Sequence, residues 1–212
     1  MKKTWIKICG ITQSRDALAA AELGADAVGM VLYPASPRAV AVEQLKGITE
    51  GLPERIVAVA LFVDPEPDLV RRVLATGVVD LLQFHGDESR EFCEQFDKPY
   101  MKALAVRNGN DLQSTLGAYD SAKYILLDSY DPVLVGGTGK TFDWDTLSEL
   151  SNQQRARLVL AGGLQVDNVR RAVETVKPFG VDVSSGVEAS KGIKDQSKMK
   201  SFIEGVRASG KD

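Results

Sequence analysis

The sequence is poor in the residues that staple or metallate small proteins. Of its 212 residues two are cysteine, Cys9 and Cys93, and one is histidine, His85. No CxxC pair occurs, so neither a disulfide framework nor a zinc site is indicated. None is needed, because a chain of this length buries roughly 70% of its unfolded surface unaided. No apolar run reaches the roughly 18 residues of a membrane span, and the stretch behind the N-terminal lysines is too short for a secretory signal. An excess of basic charge is missing too: 26 Lys+Arg against 29 Asp+Glu leave a net charge of −3. That balance argues against a nucleic-acid partner. A reduced, cytoplasmic protein with no membrane or nucleic-acid partner is expected. One tempting motif is also incomplete. "GGTGKTFDW" (136–144) contains GKT, but a phosphate-binding P-loop needs glycine five positions before Gly139, where Leu134 stands. A Gly-rich loop able to close over substrate is the reading left.

What is present is a regular succession of short Val/Ile/Leu-rich runs. They fall at 5–9, 27–33, 56–63, 80–86, 100–106, 124–129, 157–163 and 180–186. Amphipathic stretches separate them, such as "SRDALAAAELGAD" and "VDNVRRAVETVKPFG", with Gly and Pro at their ends. This is the spacing of βα units. Eight such units without a linker predict one (β/α)8 barrel over 1–212, with an open doubly wound sheet as the alternative.

Side chains alternate along a strand, so "WIKIC" turns Ile6 and Ile8 toward the helices and Trp5, Lys7 and Cys9 inward. Cys9 then stands at the C-terminal mouth, where barrel enzymes keep their sites. The same alternation directs Gln83 and His85, Tyr124, Leu126 and Asp128, and Asp182 and Ser184 inward. "LAGGL" and "DVSSGVE" follow strands seven and eight, the positions that often form a phosphate cradle from backbone N–H groups; two ordinary turns would read the same. Arg38 in "SPR" is either a carboxylate clamp or a solvated loop arginine. His85 in "FHGDE" is either a site residue or a ring bonded to a loop carbonyl. Asp128 alone would be a turn cap, but with an inward thiol on the same mouth it becomes a candidate acid.

"KICGIT", "SPR", "LQFHG", "LLDS", "GGTGKTFDW", "LAGGL" and "GVDVSSGVE…GIKD" occur in this order. Together, over residues 4–205, they resemble the phosphoribosylanthranilate isomerase family of tryptophan biosynthesis. The resemblance implies a single barrel without metal or organic cofactor, acting on a small phosphoribosyl substrate, and a monomer. The implied reaction is the Amadori rearrangement of N-(5-phosphoribosyl)anthranilate to 1-(o-carboxyphenylamino)-1-deoxyribulose 5-phosphate. It makes Cys9 the general base, Asp128 the general acid and Arg38 the holder of the anthranilate carboxylate. Gly162, Gly163, Ser184, Ser185 and Gly186 match its phosphate loops, and Lys7, His85 and Asp182 complete the expected site. Lys7 and Asp182 are expected to pair, since strands one and eight adjoin in a closed barrel. One departure is Lys191 where the family often has proline, which bears on the rigidity of that loop. Three competing readings are the related histidine-pathway isomerase, which has aspartate where Cys9 stands, a lyase similar to the tryptophan synthase α subunit, and a non-enzymatic phosphate-ligand binder.

Overall fold

A computed structural model of the chain describes residues 3–106, 116–129, 144–147 and 150–209. The Gly-rich loop expected at 136–143 lies outside them. Eight parallel strands form a closed barrel in sequence order. They are β1 (Trp5–Cys9), β2 (Ala27–Val31), β3 (Val57–Phe62), β4 (Leu81–Phe84), β5 (Tyr100–Val106), β6 (Tyr124–Ser129), β7 (Leu158–Leu160) and β8 (Gly180–Val183). Closure rests on β1 pairing with β8 from Trp5 opposite Gly180 to Ile8 opposite Val183. An open doubly wound sheet has no such pairing, so the barrel expectation holds.

Helices α1 (Ser14–Leu23), α2 (Leu45–Thr49), α3 (Pro67–Ala75), α4 (Arg90–Glu94), α5 (Asn152–Arg155), α6 (Val169–Val176) and α7 (Gln196–Ala208) follow strands around the outside. Four of these starts are legible locally. Pro67 occupies the first turn of α3, where its missing N–H costs nothing. The Ser89, Ser151 and Asp195 side chains accept backbone N–H bonds at the starts of α4, α5 and α7.

The alternation read from "WIKIC" is borne out. Ile6 and Ile8 are fully buried in the shell between barrel and helices. Trp5 faces inward and stacks on Tyr124 at 5.6 Å, while Tyr124 stacks on Phe179 at 4.7 Å. This aromatic layer plugs the N-terminal end of the barrel, each stack adding about 1 kcal/mol beyond its buried area. Above it lie Val59, Leu81, Met101, Leu126 and Val159, and near the open end Cys9, Val31 and Leu61. The polar side chains are thus confined to the upper interior.

Five strands stop earlier than the apolar runs suggest: β2 ends at Val31, β3 at Phe62, β4 at Phe84, β7 at Leu160 and β8 at Val183. After β7 the chain turns through Gly162 and Gly163 at φ 78° and 66°, a region open to glycine and closed to a strand. After β8, Ser184 leaves extended geometry at φ −123°, ψ −82°, and a 3-10 turn spans Ser185–Val187. A two-stranded hairpin then follows, β9 (Glu188–Ser190) and β10 (Ile193–Lys194), which the sequence pattern did not disclose. Lys191 is exposed at its turn. The hairpin is held without proline: Thr12 Oγ1 donates to Gly192 O at 2.6 Å and Lys194 N to Asp16 Oδ2 at 2.9 Å.

Candidate active site

Cys9 ends β1 beside Gly29 of β2. A Cβ on Gly29 would lie 3.0 Å from Cys9 Sγ and 3.0 Å from Lys7 Nζ, so glycine leaves the room in which thiol and ammonium meet. Lys7 is fully buried, and its Nζ donates to Asp182 Oδ1 at 2.9 Å. The expected pair is therefore present. Burial pulls Lys7 down, but Asp182 and Cys9 outweigh it and the ammonium is held above its ordinary value. Burial pushes the Cys9 thiol up, and the opposing pull of Lys7 is partly undone by Asp182, so the net shift is upward. The resting group is a thiol with a cation beside it.

Across the cavity Asp128, on β6, places Oδ2 3.2 Å from His85 Nε2. His85 Nδ1 is in turn 3.0 Å from Nε2 of Gln83, one inward position below it on β4. The loop carrying His85 is anchored from behind. Glu88 accepts from Gly86 N at 3.0 Å and pairs with the buried Lys102 of β5 at 3.0 Å.

Arg38, on the loop after β2, has its fork already engaged. Nε and Nη2 each donate at 2.7 Å to one carboxylate oxygen of Glu188. Gly10 (φ 75°) is what lets the chain pass beneath it: a Cβ there would come within 2.5 Å of Arg38 Cδ. Lys194 Nζ donates to the same carboxylate at 2.9 Å. Burial pushes Glu188 up, but its two cations win and hold it below the ordinary carboxylate range. A depressed acid stabilises the fold above its unfolded value and loses that contribution only as pH falls through the folded one, so this knot survives mild acid. Replacing Glu188 by glutamine leaves the buried Lys194 with no counter-charge. The expected cost in urea unfolding is about 3 kcal/mol, the scale for breaking one partner out of a buried pair.

The β7 and β8 loops complete the cavity wall with Gly162, Gly163, Ser184 and Ser185. Ser184 Oγ is buried with no hydrogen-bond partner among the described residues. Gly186 lies where the two loops touch: a Cβ there would stand 2.1 Å from Leu164 O. One cavity thus gathers Cys9, Arg38, His85, Asp128 and Asp182 with the Gly/Ser loops. Lys7 sits beneath its floor, and Gly186 behind its wall. Sequence reasoning had no role for Gly29, Glu188 or Lys194. The last two stand within "SSGVE…GIKD", and two charges so close to a phosphate-type loop were the available signal.

A thiol, a carboxyl and two Gly/Ser-rich loops share one barrel mouth, and the chain is an isomerase of the aldose–ketose type. Residues 6–205 match the family model described as N-(5'phosphoribosyl)anthranilate (PRA) isomerase. An N-(5'-phosphoribosyl)anthranilate isomerase of Pseudomonas aeruginosa is 50% identical over 207 residues, covering 98% of this chain and 97% of its own. A crystal structure of phosphoribosyl anthranilate isomerase with reduced 1-(o-carboxyphenylamino)-1-deoxyribulose 5-phosphate aligns at TM-score 0.83 and 38% identity, covering 97% and 99% of the two chains. Monomers generated from the dimeric enzyme of Thermotoga maritima align at 0.82 and 39%, with the same coverage. The chain belongs to the phosphoribosylanthranilate isomerase family, whose reaction serves tryptophan biosynthesis.

Proposed function

We propose that Cys9 and Asp128 are the base and acid of this chain's Amadori rearrangement of N-(5-phosphoribosyl)anthranilate. The observation that carries it is their presence on one cavity together with Arg38 and the two anion-type loops. Asp128 in its acid form protonates the ribose ring oxygen, the C1′–O bond breaks, and the nitrogen lone pair forms a C1′=N iminium. Cys9 as thiolate removes the C2′ proton, and the electrons move to an enolamine that tautomerises to the ketone. The productive form thus holds its proton on Asp128 and not on Cys9. Lys7 beneath the thiolate favours that form, and once the ring has opened the iminium adds a second positive charge beside the thiolate. Cys9 stands where the histidine-pathway isomerase would carry aspartate, and against a lyase the cavity's two carboxylates among the described residues, Asp128 and Asp182, are bonded to His85 and Lys7 and not to each other.

Generating phosphoribosylanthranilate in situ tests the activity: its fluorescence is expected to decay on adding the protein, and no decay defeats the reading. The edge of the Arg38 guanidinium not engaged by Glu188 supports a carboxylate contact. Arg38→Ala is expected to raise KM roughly 30-fold with little change in kcat, the loss of about 2 kcal/mol from a charged hydrogen bond. Gly162, Gly163, Ser184 and Ser185 take the phosphate on this reading, with Gly186 holding the loops together.

We place the enzyme in the cytoplasm as one domain, supported by two buried free cysteines and by no described helix long and apolar enough to cross a membrane. A monomer is proposed because Val166 is the one large hydrophobic exposed among the described residues. Light scattering at twice the 22.9 kDa chain mass would overturn it.

A further inference from the structure

Gln83 and His85 form a polar row leading to Asp128 that the mechanism above leaves without a task, and Gln83 is its inner member. It is fully buried inside the barrel. Its Nε2 lies 3.0 Å from His85 Nδ1, and its Oε1 has no hydrogen-bond partner among the described residues. An orphaned buried carbonyl costs about 1–3 kcal/mol, which an apolar side chain in this layer would avoid. A group retained at that cost needs an explanation beyond packing.

Two arrangements fit the same heavy atoms. In the first, the Gln83 amide N–H donates to Nδ1, the ring carries its proton on Nε2, and Nε2–H donates to an Asp128 carboxylate across 3.2 Å. In the second, the amide is turned by a half-rotation, its oxygen accepts from Nδ1–H, and Nε2 accepts from Asp128 as a carboxylic acid. The second holds one proton more. The half-rotation breaks no other bond to Oε1, since none is made among the described residues. The amide can therefore follow the ring. A carboxylate at this position could only accept, and a lysine or arginine could only donate.

We propose that Gln83 is a two-way partner that lets His85 adopt either neutral tautomer, and that His85 thereby seats Asp128 in both its carboxylate and its carboxylic-acid form. Both are positioning residues, and the proposal rests on Asp128 being the acid. Among the described residues the other charged groups around this row are engaged elsewhere. Arg38 holds Glu188, Asp182 holds Lys7 beside Cys9, and Lys102 holds Glu88 behind the loop that follows β4.

His85 is the chain's only histidine, so 15N-histidine labelling gives a single ring whose two nitrogen shifts report its tautomer without assignment. In the free enzyme at pH 8 the expected spectrum is the neutral Nε2–H tautomer. Gln83→Glu, nearly isosteric, is expected to fix a proton on Nδ1, the ring being either the Nδ1–H tautomer against protonated Asp128 or doubly protonated, and Gln83→Met to give a mixture. Both variants should lose about tenfold in kcat, less than the 10²- to 10⁴-fold of removing an acid or base outright, with KM within twofold and an altered pH profile. A His85 that is doubly protonated from pH 6.5 to 9 in the parent enzyme overturns the proposal. So does a Gln83→Glu enzyme with the parent tautomer and a superimposable kcat–pH profile. Asp128→Asn separates the two levels: retained turnover there removes the acid assignment, whereas the ring spectra of the Gln83 variants judge Gln83 by themselves.

Discussion

Cys9→Ala lowers kcat about a thousandfold and leaves KM within a few-fold of the parent value; this is the expected outcome of a steady-state assay. General-base removal costs 10²- to 10⁴-fold by order of magnitude, and a group acting only in the transition state takes kcat with it, not KM. The size of the effect follows from the absence of a stand-in among the described residues, whose other charged groups at this end of the barrel are already committed: Lys7 and Asp182 to each other at 2.9 Å, Arg38 to Glu188 at 2.7 Å and Asp128 to His85 at 3.2 Å. Burial holds the Cys9 thiol above its ordinary value, so little thiolate exists at neutral pH in the free enzyme. The sign is therefore fixed: the rate at which iodoacetamide alkylates Cys9 in the free enzyme rises with pH from 7 toward 9 as thiolate accumulates, and a rate already level at pH 7 would count against a raised thiol. Cys93 provides the control. It is fully buried in the shell around α4, and burial pushes its thiol up to about 12. Cys93→Ala should keep parental turnover, whereas a Cys9→Ala enzyme that did so would sink the base assignment.

Asp128→Asn carries the second large effect, again about a thousandfold in kcat. Asparagine keeps the size of the side chain and a partner for His85 Nε2, but it has no proton to release to the ring oxygen. The two variants are separable by substrate deuterated at C2′. With Cys9→Ala the C2′–H cleavage limits turnover, and the deuterium isotope effect on kcat is large. With Asp128→Asn ring opening limits it, and the isotope effect collapses toward one. Equal isotope effects in both would mean that the two groups serve the same step.

Legibility in the sequence followed the range of the interaction. Strand alternation is a property of the backbone alone, and it places Ile6 and Ile8 outward and Trp5, Lys7 and Cys9 inward. The βα spacing was sufficient for the barrel, and closure made β1 and β8 neighbours, which put Lys7 beside Asp182, 175 residues away. Element ends were less legible. An apolar run continues through Val183 into serine without a break in pattern, and only the Ser184 dihedrals end the strand.

The chain alone determined which residue types stand at the mouth, because each strand's register fixes its own face. It could not determine what those residues bond to once there. Arg38 reads as an open carboxylate clamp in "SPR", yet its fork is half used by Glu188, 150 positions later. The ionisation of Cys9 likewise depends on a balance among burial, Lys7, Asp182 and Lys194. Gly29 looks like any strand glycine until it faces Cys9 across the sheet, where a methyl group would occupy the space shared by thiol and ammonium. Charge interaction and steric exclusion act through a few ångströms of space whatever the separation in sequence, so only the closed barrel decided them.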